Sequence, residues 1–277
     1  SKFREHLDEI KILRGRQQLN QNQPLAMWQP KTRTPLEADC IINAAGFSRR
    51  MGEWKMMLPL GNGTLLDVCI RNALTSCKHV ILVIGTNGQA LIPRYSDCPD
   101  ITTTVNPTAE IGLFSSTQCG LKQIKHAYTF ISHGDMPSLS PVIFQALWQA
   151  RGEHAVLPTY DGRNGHPVLL PKEMAQRMSA VPPEGSAKNW LLQNSHRFLP
   201  LEDPGILLDI DTPEQYQAFC REFSSISDQL DRPTTDIEGN QCDCDQHGTD
   251  IQSLEIARNN AANDQGSKTE HDTRSEE

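Results

Sequence analysis

A chain of 277 residues with 37 % hydrophobic residues can bury one sizeable core, and its formal charge of −8 is unevenly spread: residues 1–37 carry +3, residues 38–221 carry −1 and residues 222–277 carry −10. A nearly neutral middle without clustered Lys and Arg argues against a nucleic-acid surface there. No run approaches the roughly 20 apolar residues that cross a bilayer, and the first residues lack the apolar core of a secretory leader, so no membrane partner and a cytoplasmic location are expected.

Residues 1–37 open on a charged stretch with helical spacing (Phe3, Leu7, Ile10, Leu13) and then turn Gln-, Asn- and Pro-rich, as an extension and linker do. The domain proper is expected over residues 38–221, where Cys40, Cys69 and Cys119 lie in apolar runs as reduced core thiols. Ala38–Ala45 reads as the first strand. Thr64–Cys77 reads as a helix, because Leu66, Cys69, Ile70, Ala73, Leu74 and Cys77 share one face at i, i+3, i+4 spacing. His79–Gly85 contains an unbroken aliphatic run suited to a strand buried on both sides. A helix near Gln89–Tyr95, a strand at Ile101–Val105, a helix at Ile111–Lys125 and a strand at Tyr128–Ser132 follow, the last ending in His133-Gly134-Asp135-Met136-Pro137. A helix at Pro141–Arg151, strands at Ala155–Thr159 and His166–Leu170, further helices and a short strand Ile206–Ile210 running into Asp211 complete the expected elements.

This alternation predicts an α/β, Rossmann-like fold: a mostly parallel sheet with helices on both faces, in three α/β/α layers. The loops after its first four strands should share one cleft. From residue 222 to 277 fourteen acidic residues stand against four basic ones and no aromatic follows Phe223, a composition that cannot offset its ordering entropy and is expected to be disordered. The tail motif Cys242-Asp243-Cys244 with His247 lacks the paired spacing of a zinc site.

The turn after the first strand, residues 44–55, carries small residues that let backbone N–H groups approach a phosphate (Ala44, Ala45, Gly46, Ser48, Gly52), and its Arg50 and Lys55 supply cationic charge. It is neither a Walker A sequence nor GxGxxG, which disfavours a P-loop ATPase or a hydride-transferring enzyme. An Arg-Arg pair is commonly a solvated face and a glycine after a strand is common punctuation, so the weight lies in their combination. Asp135, in a tight turn at the end of a parallel strand, is placed to ligate a hard cation such as Mg²⁺, or simply forms the turn. Asp211 precedes Thr-Pro and could equally begin a helix, while Asp209 lies on the same side of its segment as a spare ligand. Asn106, Gly112, Ser115 and Ser116 should lie beside a nucleotide, or simply cap a helix.

The pattern AAGxSxRMGxxK resembles the signature loop of nucleotidyltransferases of the GT-A-like fold. In the same order along the chain, WKMMLPL, NPTAEIGLFSS, GHPVLL and DIDTPEQY resemble the molybdenum cofactor cytidylyltransferase family, over roughly residues 38–220. The resemblance implies Mg²⁺-dependent transfer of CMP from CTP to the terminal phosphate of the molybdopterin-bound molybdenum cofactor, releasing pyrophosphate and giving the cytosine dinucleotide form. It further implies Lys55, Arg50 and Asp135 as catalytic residues, Asp135 with Asp211 as metal ligands, and a base-contacting loop at Gly85-Thr86-Asn87-Gly88. Gly165, His166 and Pro167 would border the acceptor substrate, and a molybdenum hydroxylase of the xanthine dehydrogenase type would receive the product. The alternatives are a guanylyl- or sugar-phosphate nucleotidyltransferase of the same fold, and a cofactor-binding chaperone that delivers molybdenum cofactor to a hydroxylase. Ala44-Ala45-Gly46 resembles the cytidylyl branch rather than the guanylyl branch, which carries a Gly-Gly pair there.

Overall fold

The computed structural model describes Glu5 and residues 34–46, 55–60 and 63–230. Most of the expected linker, the middle of the signature loop with Ser48, Arg50 and Gly52, and the acidic tail beyond 230 lie outside the described residues.

The sheet grows outward from β1 (Leu36–Asn43), whose parallel neighbours are β4 (Cys77–Gly85) on one side and β6 (Tyr128–His133) on the other. A small hairpin, β2 (Pro59–Leu60) and β3 (Gly63–Thr64), lies between β1 and β4 in sequence and stands apart from the main sheet. β5 (Ile101–Asn106) extends the sheet beyond β4, again parallel. On the far side of β6 the pairing changes: β9 (Val168–Pro171) runs antiparallel to both β6 and β7 (Ala155–Tyr160). β10 (His196–Pro200) closes that edge parallel to β7, and β8 (Arg163–Asn164) folds back on β7 through Asp161-Gly162. Both turn residues have positive φ, 48° and 70°, as a two-residue hairpin turn requires. The order β5-β4-β1-β6 reverses direction at β1, and ligands of open α/β sheets bind outside the carboxyl ends of the strands at such a switch.

Side chains of the central strands alternate between two cores. Cys40, Ile42, Leu82 and Phe130 face one core with Leu66 and Ile70 of α1 (Leu65–Ser76) and Ile143, Phe144 and Leu147 of α4 (Pro141–Gln149). Ile41, Ile81, Val83 and Ile131 face the other core. There they meet Phe114 and Leu121 of α3 (Leu113–Leu121), Met174 and Met178 of α5 (Lys172–Ser179) and Leu191 of α6 (Ala187–Gln193). The expected three layers are therefore present. A third, smaller core joins Leu60, Leu65 and Val68 to Leu208, Ile210 and Phe219, the last on α7 (Pro213–Leu230).

Four expectations need correction. Residues 206–210 are no strand: Pro204–Leu207 is a 3₁₀ turn opened by Asp203, whose carboxylate accepts from Gly205 N–H at 2.8 Å, and Leu208–Ile210 follows as an extended strap. The strand near His166 starts at Val168, since Pro167 has no N–H for a ladder. The helix near Gln89 is a 3₁₀ turn, Thr86–Leu91, followed by a single α turn, α2 (Ile92–Tyr95). The helix from Ile111 begins at Leu113, because Gly112 at φ 140° interrupts it.

At the edge opposite the strands' carboxyl ends, Asp39 is fully buried and saturated with donors. Its Oδ2 accepts from the N–H groups of Lys125 and His126, both at 2.8 Å, and its Oδ1 from His79 Nδ1 at 2.8 Å and His126 Nδ1 at 3.0 Å. Burial pushes this carboxyl up, but the His79 and His126 bonds outweigh it and hold it at about 2. Because the folded value lies below the unfolded one, Asp39 stabilises the fold above the ordinary carboxylate range, by about 2 kcal/mol, and loses that contribution as the pH falls from about 4 toward 2. Asp39→Asn would turn an amide N–H toward these donors; urea unfolding should show a loss of about 3 kcal/mol at pH 7 and a smaller gap at pH 3. Equal midpoints at pH 7 would refute the role.

Candidate active site

Three side chains from distant parts of the chain meet at the β1/β6 switch point. The Lys55 ammonium donates to Asp135 Oδ2 at 2.6 Å and to Asp211 Oδ1 at 2.8 Å. The side chains of Lys55 and Asp135 are 12 % and 16 % exposed, so this pair is shielded from water. Burial alone would lower the Lys55 pKa, but Asp135 and then Asp211 outweigh it and raise the value, fixing the ammonium as charged. The exposed Asp209 is raised from the ordinary carboxylate range by the loss of water around its carboxyl and then by the Asp211 charge.

Backbone and packing bring these groups together. The β1 ladders continue past the strand ends, with Ala44 N–H bonded to Val83 O at 2.8 Å and Gly134 N–H to Asn43 O at 3.0 Å. Gly134 has to be glycine: a Cβ would lie 2.9 Å from both Leu66 Cδ1 and Met56 Sδ. Met56 thus packs directly over the turn that carries Asp135, which seats its neighbour Lys55 beside the carboxylate. From α1, Cys69 Sγ and Asn72 Nδ2 bind the carbonyls of Gly134 and Pro137 at 3.3 and 3.0 Å, pinning the same turn.

Asp211 arrives on the strap. Leu208 and Ile210 are buried in the third core while Ile210 N–H donates to Asp135 O at 3.0 Å, so Asp211 is delivered next to Asp135. The cap of α7 is Thr212 rather than Asp211: Gln215 N–H donates to Thr212 Oγ1 at 3.3 Å, and Gln215 Oε1 accepts from the N–H groups of Thr212 and Asp211 at 2.9 and 2.7 Å. This capping box leaves the Asp211 carboxylate available to Lys55.

The neighbouring loops line the same end of the sheet. A Cβ on Gly85 would lie 3.3 Å from Ala45 O and 3.5 Å from Ala109 Cβ, so the turns after β1, β4 and β5 adjoin one another. Asn106, Ser115 and Ser116 are buried and bind within the turn: Asn106 Nδ2 donates to the two hydroxyls at 2.9 and 3.0 Å, Asn106 Oδ1 accepts from Thr108 N–H at 3.1 Å, and Ser115 Oγ donates to Gly112 O at 2.9 Å. They shape the turn around Gly112. Ala44 and Ala45 are buried small residues, and a Cβ on Gly46 would meet no described atom within 4 Å.

On the β9 side, the turn of Gly165, His166 and Pro167 sits under the Pro204–Leu207 turn, with Gly165 N–H bonded to Pro158 O at 2.8 Å and His166 N–H to Ile206 O at 2.9 Å. His133 is a site residue that the sequence pattern does not single out. Its Nε2 lies 3.1 Å from His166 Nε2, with the rings nearly perpendicular at 4.2 Å. Burial and then the Lys55 charge lower His133 to about 4, and burial with His133 lowers His166 to about 3, so both imidazoles are neutral at pH 7. The signal for His133 in the sequence is its place two residues before Asp135 at a parallel strand end.

The donor set suits a hard divalent cation. Asp135 Oδ1 is buried without a hydrogen-bond partner, and Asp135 Oδ2 and Asp211 Oδ1 converge on a single cationic group. Among the described residues no three His, Cys, Asp or Glu side chains gather as a complete metal cage. One or two carboxylates completed by substrate phosphates is the arrangement Mg²⁺ uses.

The class this fold carries here is that of the nucleotidyltransferases. The chain belongs to the MobA-like NTP transferase domain family, whose model matches residues 40–198. It is 41 % identical over 188 residues to the molybdenum cofactor cytidylyltransferase of Escherichia coli K12, covering 68 % of this chain and 98 % of that one. It is 29 % identical over 134 residues to a probable molybdenum cofactor guanylyltransferase of Methanosarcina mazei, covering 46 % and 60 %. A nucleotidyl transferase from Methanothermobacter thermautotroptrophicus shares the fold with a TM-score of 0.60 at 16 % identity, covering 69 % of this chain and 99 % of that one.

Packing at the turn of Gly165, His166 and Pro167 is testable by stability alone. A Cβ on Gly165 would approach Ile206 O to 2.5 Å and Ile206 Cγ1 to 2.7 Å. Gly165→Ala should therefore cost about 1–3 kcal/mol in urea unfolding, whereas Gly46→Ala should stay within about 0.5 kcal/mol. A neutral Gly165→Ala would contradict the close seating of this turn.

Proposed function

We propose that this chain transfers CMP from CTP to the terminal phosphate of the molybdopterin-bound molybdenum cofactor, with Mg²⁺ held by Asp135 and Asp211 and pyrophosphate as the leaving group. The observation that carries the reading is the convergence of Asp135 and Asp211 on Lys55 at the switch point, with Asp135 Oδ1 left over for a further cation. A phosphate monoester with a second pKa near 6 is already mostly dianionic at neutral pH, so no general base is required of the protein. What it must supply is neutralisation: two like charges about 4 Å apart cost on the order of 4 kcal/mol at an effective dielectric near 20, and CTP facing a phosphate presents several such pairs.

The metal's contribution would be charge withdrawal at the α-phosphate and the leaving oxygens. Lys55, with Arg50 from the signature turn, would take the charge that develops on pyrophosphate. Backbone N–H groups of residues 45 and 46 and the turn at Gly112 would bind phosphate and ribose, and the Gly85 turn would border the base. His166 and Pro167 would position the acceptor, with His133 steadying the His166 ring. CTP is favoured over GTP by Ala44-Ala45-Gly46 and by 41 % identity to the cytidylyltransferase against 29 % to the guanylyltransferase.

Pyrophosphate release from CTP, Mg²⁺ and isolated molybdopterin cofactor is the direct assay. Activity should appear with CTP, vanish on chelation of the metal, and fall by about 10³-fold in Asp135→Asn with the unfolding midpoint retained. Faster release from GTP would reassign the nucleotide. Cofactor binding without release from any nucleoside triphosphate would turn the reading to a carrier.

A further inference from the structure

We infer that Lys55 is a built-in counter-ion that holds the metal position in the nucleotide-free protein, so that a divalent cation enters only together with a nucleotide whose phosphates draw the ammonium away. The inference rests on Asp135 and Asp211 as the metal carboxylates.

The geometry supports an exchange rather than simple coexistence. The Lys55 ammonium lies 2.6 Å from Asp135 Oδ2 and 2.8 Å from Asp211 Oδ1, on the two carboxylates that would hold the cation. A hard dication placed on the same two carboxylates would stand close enough to the ammonium for strong mutual repulsion. The Lys55 side chain has the means to leave. Its backbone begins the short 3₁₀ turn Lys55–Met57, which is fixed by Met56, 3 % exposed, packing over Gly134. The four-carbon stem beyond that anchor is flexible, and its compact ammonium can turn from carboxylate to phosphate without moving the turn.

The arrangement also has a reason. With Lys55 removed, Asp135, Asp211 and the nearby Asp209 would face one another as carboxylates without the ammonium between them. Such a cluster would attract free divalent ions whether or not substrate were present. With Lys55 in place, the charge of the two carboxylates is countered at rest, and the incoming phosphates supply the negative charge that compensates both cations at once.

The test uses the full chain and Mn²⁺ as the probe, followed by electron paramagnetic resonance. Without nucleotide, Lys55→Met and Lys55→Gln should bind Mn²⁺ at least tenfold more tightly than the wild type, and Lys55→Arg, which stays cationic, should bind as weakly as the wild type. Adding Asp135→Asn to Lys55→Met should abolish the gain. Equal Mn²⁺ affinity in wild type, Lys55→Met and Lys55→Gln would overturn the inference while leaving the metal role intact. So would a gain in Lys55→Arg as large as in Lys55→Met, or a gain that survives Asp135→Asn. Absence of any protein-bound Mn²⁺ in the wild type with CTP present would instead remove the metal reading itself, and the exchange with it.

Discussion

Everything at the switch point depends on β1 being held between two parallel neighbours in fixed register. Asn43 pairs with Val83 on one side and His133 on the other, so the turn leaving β1 and the turn leaving β6 emerge side by side. Two further backbone bonds, from Ala44 to Val83 and from Gly134 to Asn43, carry that register past the strand ends. A slip by one residue would turn Ile41 and Ile42 to the wrong cores and separate Lys55 from Asp135 together.

The register alone does not fix distances, and small residues do the rest. Gly120 lets α3 cross the sheet so closely that a Cβ there would meet Ile41 Cγ2 at 2.7 Å and Val83 Cγ2 at 2.9 Å. That approach sets the start of α3, and with it Gly112 and Ser115, at the mouth of the site. Gly134 does the same for the Met56 contact on the opposite face. Helix packing from both sides is thus converted into the position of loops, which is how an enzyme site gains precision from a rigid scaffold.

The parallel half of the fold was legible because its strands are continuous aliphatic runs and its helices keep a regular apolar face. The other half was harder. β10 carries the exposed, mixed sequence His196-Arg197-Phe198-Leu199-Pro200, whose side chains give no core signal because an edge strand is held chiefly by backbone bonds to β7. The segment 206–210 imitates a strand, since Ile206, Leu208 and Ile210 are all buried, yet they are buried against α7, β2 and the site turns rather than in a ladder. In the site, Lys55, Asp135 and Asp211 could be named from strand-end position and motif, but their joint meeting could not, being separated by 80 and 156 positions. The mutual bonding of Asn106 with Ser115 and Ser116, and the His133–His166 pair, also depend on tertiary approach and leave no local pattern.

Asp211 shows how local and global demands are reconciled here. An Asp before Thr-Pro would serve well as a helix cap, and a carboxylate used in that way would be tied to backbone N–H groups and lost to a distant lysine. The chain assigns capping to the next residue, with Thr212 and Gln215 in a reciprocal box, and gives the N–H of Asp211 itself to Gln215 Oε1. The helix start is satisfied without the Asp211 carboxylate, and that same bond fixes the backbone from which the carboxylate projects. Burial of Leu208 and Ile210 on one side of the strap then sends Asp209 and Asp211 to the other, toward Lys55 and Asp135. The strap is therefore anchored by apolar packing and a capping box, and its Asp211 carboxylate is held against Lys55.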